Sequence, residues 1–590
     1  MSVYAIGLLI SILLYLAVGG YVGRRVKHLE DYFVAGRKAP TLLIVGTLVA
    51  SLMSTNAFMG ETGMAYSGFP MVIIMLTAIN CVGYVAGGLY FGKYLRRSRA
   101  LTVAEYFGQR FDSRRVQVVA GITIILGCTG YLMIVSQGAA AIINEVTGLS
   151  FGITLLIAWS SYTLFTLYSG SRGVIITDTM MFLLFGIIAF VGLAYIVADS
   201  GGWFATIKAL ATYETKPGII SWHGMTGPDQ TWKTPLESLT YAIILGLAWG
   251  IVVAVSPWQA SRYLMAKDEH TVIRSATITA GVVMVLYIVL SMSGAAINLL
   301  NPDIEPAQEN MIWAAMNVMP TLVGVLLMAG IMAAGLSSAS TFLSLIGFSA
   351  SNDIFVHHGG DDKKRLRASR YAVFFMGLVA LALAWFVPQG YVYWITYFAG
   401  TLFASSWGPV AFMSVWSKRI TEGGAFWGIV AGLLGNIGAN LVSLLGIIEL
   451  PVIFDPILVG VVLSYFTVEV VSRFGVVSRT EHARRVQLHE MPASELDPIK
   501  LRRTLAWAKT VLVSGVVLAI LMIVFYAIPY QQAIEEAGGS FGDGRRTGGG
   551  KMSGEMILAI GVGLSLVASG ALAYWGAIRS FRRAPTSGRR

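Results

Sequence analysis

Ala50-Ser51-Leu52-Met53-Ser54-Thr55-Asn56, followed by Gly60, Glu61 and Gly63, stands in the middle of an apolar run from 41 to 66. A helix that only fills a membrane bundle is uniformly apolar. Hydroxyl and amide side chains clustered at mid-span therefore predict an interruption, where backbone carbonyls come free to bind ions. Ser and Thr also serve as packing glue between membrane helices, but four polar side chains in this one stretch favour unwinding.

Outward from that run the chain repeats the same theme. A hydrocarbon core of about 30 Å needs roughly 20 apolar residues of helix. That ruler predicts fifteen spans, near 3-23, 41-66, 70-92, 116-144, 151-169, 173-198, 236-256, 274-299, 320-350, 371-388, 391-416, 424-446, 451-472, 508-529 and 554-578. Hydrophobic residues make up 56% of the chain and charged ones 12%, with a mean hydropathy of +0.70, so the fold class is an all-α polytopic membrane protein.

Alternating spans divide the connecting segments into two sets. One set holds only Lys208, Lys216, Lys233, Arg545, Arg546 and Lys551, and the other holds the remainder of the 42 basic residues, among them Arg24, Arg25, Lys27, Arg96, Arg97, Arg99 and Lys363 to Arg365. Basic loops stay cytoplasmic, which places the amino terminus outside, the carboxyl tail inside and the protein in a plasma (inner) membrane. The formal charge of +11 is spread along membrane boundaries and forms no nucleic-acid surface. Basic residues follow the first apolar run instead of preceding it, so that run reads as a retained helix and not a signal peptide. Cys81 and Cys128 both lie in spans, where no disulfide or zinc framework is available. The seven histidines, His28, His223, His270, His357, His358, His482 and His489, all fall in expected loops as solvated positions, which leaves no cluster for an enzyme. The long inner segment 473-507 reads as a solvated helical connector, too short for a sensor's output domain, and 538-550 as a glycine-rich linker.

The ninth span supplies a partner for the break. Ala334, Ser337, Ser338 and Thr341 share one helical face, with Ser340 at its margin. Hydroxyl and carbonyl oxygens are hard ligands that suit an alkali cation, sodium above all, because a proton would need a titratable group and transition metals prefer His or Cys. Asp178 stands within the sixth span, about one and a half turns from its cytoplasmic end. A carboxylate there is expensive unless paired with, for example, Arg172, or bound to an ion. Glu61 is an external gate, a proton site or an interfacial residue.

These motifs resemble the sodium:solute symporter family, which includes sodium-coupled glucose, proline, pantothenate, sialic acid and monocarboxylate transporters. The resemblance rests on Asp31-Tyr32-Phe33-Val34-Ala35-Gly36-Arg37, Gly173 to Asp178, Ala333 to Ser338, and Ser256-Pro257-Trp258-Gln259-Ala260-Ser261-Arg262. It implies a leucine-transporter-like 5+5 inverted repeat with one extra N-terminal and about four extra C-terminal helices. The units would be 1-40 (extra helix and loop), 41-198 (first repeat), 199-235 (outer loop), 236-420 (second repeat) and 421-590 (additional helices). The first helix of each repeat would be discontinuous, in the seventh span at Gly246-Leu247-Ala248-Trp249-Gly250. The resemblance places a shared sodium site on the carbonyls of Ala50, Met53 and Ala334 and the hydroxyls of Ser337 and Ser338. A second site would use Asp178, Ser337, Ser340 and Thr341. No cofactor is expected besides the coupling ion.

Substrate is expected between spans two, four, seven and eleven, near Ser54, Thr55, Asn56, Gln137, Trp249, Tyr397 and Thr401. Members of the proline type carry an acidic residue where this chain has Leu52, which argues against proline. With no Lys or Arg expected near the cavity, a monocarboxylate or zwitterionic amino acid is favoured over a dicarboxylate. The resulting expectation is a sodium-coupled importer working by alternating access, with a proton-coupled carrier or a membrane-embedded sensor as alternatives.

Overall fold

A computed structural model describes residues 2–355, 362–388, 392–447, 451–538 and 552–581. Among them, twelve helices are long and apolar enough to cross a membrane, and a bent pair makes a thirteenth. We number the crossing helices in chain order. Helix α1 is Val3–Gly23. Helix α2 is the bent pair, Thr41–Leu52 and Asn56–Tyr66, turned by 56° at its break. Helix α3 is Pro70–Ser98 and α4 is Arg114–Thr147.

The next helix, Phe151–Asp199, has 49 residues, about 74 Å of rise and more than twice the apolar thickness of a bilayer. Gly170, at φ 51° and ψ −156°, divides it into α5 (151–169) and α6 (171–199). That backbone region is open to glycine almost alone. The division is held by the short helix Leu29–Val34, whose Tyr32 packs where a Cβ on Gly170 would stand. The Tyr32 hydroxyl donates to the Thr166 carbonyl at 3.3 Å, and the Ser171 hydroxyl to the Phe33 carbonyl at 2.7 Å.

The remaining crossings are α7 (Pro235–Val255), α8 (Glu269–Ile297), α9 (Thr321–Phe348), α10 (Asp362–Phe386), α12 (Glu422–Leu444), α13 (Pro456–Phe474), α14 (Pro498–Met522) and α15 (Gly554–Phe581); α11 (Val392–Trp416), outside those thirteen, is numbered with them for its 25-residue length. Each of the fifteen expected spans falls on one of these. The glycine-rich stretch from 539 to 550 lies outside the described residues.

The seventh span breaks elsewhere than expected. Helix α7 runs unbroken through Gly246 to Gly250 and stops at Ser256, whose ψ of 144° is extended; a nine-residue helix, Pro257–Met265, then follows. Pro257 has no N–H to continue the ladder and disfavours the helical region for the residue before it. Gly246 and Gly250 serve packing instead. A Cβ on Gly246 would meet the Leu76 carbonyl at 3.0 Å, and one on Gly83 would run into the backbone of Gly250.

On the basic face, Arg37 explains the Asp31–Arg37 motif. Its guanidinium donates to Glu30 (2.6 Å) and to the carbonyls of Arg99 (2.7 Å), Ala100 (2.9 Å) and Leu264 (3.4 Å), so one side chain ties the entry to α2 to the ends of α3 and of Pro257–Met265. The connector is helical over Arg479–His489, with a capping box at Ser478 and Glu481, but it is docked and not simply solvated. Arg97 makes two bonds to Glu269 (2.7 and 2.6 Å) and one to the Leu488 carbonyl (2.6 Å). His270 is likewise buried, contrary to the loop expected: it bonds Thr504 Oγ1 (3.1 Å) and the Glu495 carbonyl (3.0 Å) and stacks on Phe581 at 3.7 Å. His223 is buried too.

Two predictions follow from these joints. Gly170→Ala forces a side chain into a backbone region it avoids and against Tyr32, so thermal unfolding should show a loss on the order of 1–3 kcal/mol. Burial, then the nearby charges of Glu269 and Asp268, push the Glu495 carboxyl up to about 7. The folded chain then holds a proton that the unfolded chain has lost, so docking of the connector weakens as pH rises from about 4.5 through about 7. Limited proteolysis of 473–507 at pH 5 and pH 8 should show this slope, and Glu495→Gln should abolish it.

Candidate sodium and substrate site

The interruption in α2 is the seed of the site. Thr41–Leu52 ends with Met53 at ψ 75°, and the chain resumes helix at Asn56. Ser54 stabilises the restart, its hydroxyl accepting the Asn56 N–H at 3.1 Å. Across from the break lies α9. Ser338 donates to the Ala50 carbonyl at 3.4 Å, so the freed backbone and the hydroxyl stripe face each other. Met53, Ala334 and Ser337 are wholly buried.

Asp178, on α6, ties together α2, α9 and the segment after α7. Thr47 of α2 donates to Oδ2 at 2.5 Å, Ser337 of α9 donates to Oδ1 at 2.7 Å, and Arg262 Nη2 stands 3.6 Å from Oδ2. Both charged side chains are buried, at 0% and 2% exposure. Arg262 also donates to Thr341 Oγ1, while its Nε has no partner. Ser340 turns back to the Ser337 carbonyl at 2.9 Å. The four residues expected at a second sodium site are thus adjacent, and a guanidinium joins them. Arg172, the alternative partner considered for Asp178, pairs with Asp31 at 3.3 Å.

Arg262 and Thr47 were missed as site residues. The signal for Arg262 was its place in a polar helix of nine residues directly after Pro257; Thr47 lies one turn before Ala50. The Tyr15 hydroxyl of α1 reaches the Leu336 carbonyl at 3.4 Å, a contact without sequence signature.

The substrate candidates are gathered less tightly. Thr55 packs between α4 and α9, where a Cβ on Gly138 would meet its Oγ1 at 3.0 Å and one on Gly335 its Cγ2 at 2.7 Å. Trp249 lies against Gly400 beside Tyr131. Gln137 spends its amide donors on the carbonyls of Ala384 (3.0 Å) and Val387 (2.9 Å) of α10 and its C-terminal end, leaving Oε1 buried without a partner. Thr401 accepts from Asn436 of α12 at 3.1 Å. The side chain of Tyr397 lies outside the described residues. Glu61 sits beside this group: Asn56 donates to Oε1 at 3.5 Å, Tyr287 stands near the carboxylate, and Oε2 is buried without a hydrogen-bond partner. Among the described residues no Lys or Arg forms an ion pair with Glu61. No group of three His, Cys, Asp or Glu side chains among them could hold a transition metal, so the ligand chemistry of the site is that of hydroxyl, carbonyl and carboxylate oxygens.

Known proteins resemble this chain in sequence and in fold. Residues 32–432 match the family profile described as the sodium:solute symporter family. The chain is 25% identical over 456 residues to the sodium/pantothenate symporter of Escherichia coli (strain K12), covering 76% of this chain and 91% of that one. It is 24% identical over 464 residues to the sodium/proline symporter of the same organism, covering 73% and 87%. Among solved structures, a Na+-coupled sialic acid symporter in its substrate-bound outward-open state superposes with a TM-score of 0.69 at 19% identity, over 81% of this chain and 99% of that one. Mhp1, a nucleobase-cation-symport-1 family transporter in a closed conformation, gives 0.52 at 16% identity, over 77% and 98%.

Removing Arg262 strands a buried carboxylate, a cost on the order of 3–5 kcal/mol. Arg262→Gln should therefore lower thermal stability in sodium-free detergent, and Asp178→Asn added to it should restore most of the loss. If the double variant is no more stable than the single one, the two charges do not compensate each other.

Proposed function

Because this chain belongs to the sodium:solute symporter family, with the leucine-transporter-like fold that the sialic acid symporter and Mhp1 share, we propose that it couples the inward sodium gradient to import of a small amino acid. It is a sodium-coupled solute symporter and a multi-pass membrane protein. The choice of solute, the ion sites and the orientation are the inference. The observation that carries it is the break in α2 facing the α9 hydroxyls across a 3.4 Å contact from Ser338 to the Ala50 carbonyl.

Sodium enters between these helices, with the carbonyls of Ala50, Met53 and Ala334 and the hydroxyls of Ser337 and Ser338 as ligands. Asp178, Ser337, Ser340 and Thr341 form a second site, whose net charge is tempered by Arg262. External sodium ties the α2 and α9 halves together and stabilises the outward-open form. Substrate follows, the outer side closes, and the inner side opens to a compartment poor in sodium. With the basic face cytoplasmic in a plasma membrane, the potential favours each inward positive charge by about 2.3 kcal/mol per 100 mV. Coupling arises because both ligands stabilise the same occluded state.

Glu61 narrows the solute. A carboxylate with one unpartnered oxygen, beside Asn56 and the aromatic group of Tyr131, Trp249 and Tyr287, suits the ammonium of an amino acid. A monocarboxylate without nitrogen would meet repulsion there. Proteoliposome uptake of radiolabelled amino acids and of their deaminated analogues, with and without an inward sodium gradient, tests this reading. Sodium-dependent uptake should be confined to the nitrogen-bearing members, with a Hill coefficient for sodium of about two. Ser338→Ala should raise the half-saturating sodium concentration on the order of tenfold, the loss of about 1.4 kcal/mol of binding. Uptake that ignores sodium and follows the pH gradient would select a proton-coupled carrier instead.

A further inference from the structure

An apolar groove of about 440 Å³ opens on the lipid-facing side of the bundle between α6, α8 and α14. Its walls include Phe182 and Phe190 of α6, Ile278 and Gly281 of α8, and Trp507 and Leu518 of α14. Polar surface is almost absent. From Trp507 to Leu518 the groove extends by eleven residues of helix, about 16 Å, half the thickness of the hydrocarbon core and so the depth of one leaflet.

The end of the groove on the basic face is charged. Arg274 precedes Ile278 by four residues on α8, and Arg503 precedes Trp507 by four on α14, so each guanidinium stands one turn beyond a groove-lining residue on the same helical face. Helices α8 and α14 pack against each other, which brings both arginines to the same end of the groove. Arg274 is 6% exposed, bonds Thr271 Oγ1 at 3.3 Å, lies 3.9 Å from Asp268, and leaves its Nε buried without a partner. Asp268 is shared between Arg274 and Lys500, the latter at 3.4 Å, and also accepts the N–H and hydroxyl of Thr271 at 2.7 and 2.5 Å, so its single negative charge does not offset both cations. Arg503 forms no ion pair among the described residues.

We propose that this groove is a binding site for an anionic glycerophospholipid. One acyl chain lies along α6, α8 and α14, and the phosphate sits between Arg274 and Arg503. Guanidinium groups match phosphate in planar, two-pronged bonds, and basic pockets between membrane helices on the side facing anionic lipid select such headgroups. Trp507, 45% exposed at the mouth, is the interfacial anchor expected there.

Titration of the delipidated full chain in detergent with phosphatidylglycerol and with phosphatidylcholine of the same acyl chains, read by native mass spectrometry, tests the site. Phosphatidylglycerol should bind tighter on the order of tenfold. Arg503→Gln, at an exposed position that does not endanger folding, should erase most of that preference, and Arg503→Lys should keep part of it. Gly281→Leu, which fills the groove where a Cβ meets only Val511 at 3.9 Å, should weaken both lipids. Millimolar glycerol phosphate should not displace the lipid; if it does, the site is for free phosphate and the proposal falls. Equal binding of the two lipids, or an unchanged preference in Arg503→Gln, would also overturn it.

Discussion

A spanning helix that stops half-way must hand its freed backbone groups to something other than lipid, and the rest of this structure follows from that demand. Helix α2 stops at Leu52 and restarts at Asn56, and the orphaned turn is buried against α9. The face that α9 offers there is therefore hydroxyl-bearing, with Ser337, Ser338, Ser340 and Thr341 all fully buried. Oxygen atoms gathered in low dielectric attract cations strongly, and the nearest fixed charges, Asp178 and Arg262, are set in the same layer.

Placing a carboxylate and a guanidinium together at this depth makes the layer adjustable. A buried pair contributes little net stability, since desolvation offsets most of the attraction, but breaking it is costly. A cation arriving beside Asp178 competes with Arg262 for the same oxygens. At the proposed second sodium site, ion binding would then need only one side chain of the Pro257–Met265 helix to shift.

Much of this was legible in the residues. Apolar run length set the fifteen spans, and the hydroxyl and amide cluster from Ser51 to Asn56 located the break in α2, because both signals are local. The break after α7 was misplaced onto Gly246 and Gly250: glycine permits a bend but does not compel one, whereas Pro257 removes a donor outright. The Arg262–Asp178 pair joins residues 84 positions apart, and no periodicity reports such a contact. Thr401 and Gln137 carry suitable polar groups, yet they bond α12 and the end of α10, because a side chain's direction depends on neighbours that sequence spacing does not name. The buried His270 was taken for a loop residue because the start of α8 lies beneath a connector whose docking hinges on Arg97 and Glu495.

Gly83 and Gly250 bring α3 and α7 so close that backbone touches backbone, and Gly87 repeats the approach one turn on against Ala254. At these points little side chain stands between them to slide or repack, so the two helices pack as a stiff pair. One falls in the stretch expected as the first repeat (41–198) and the other in the stretch expected as the second (236–420). In the proposed transport cycle these two helices would move as one body, and any bending would fall to their ends, near Arg99 and Ser256.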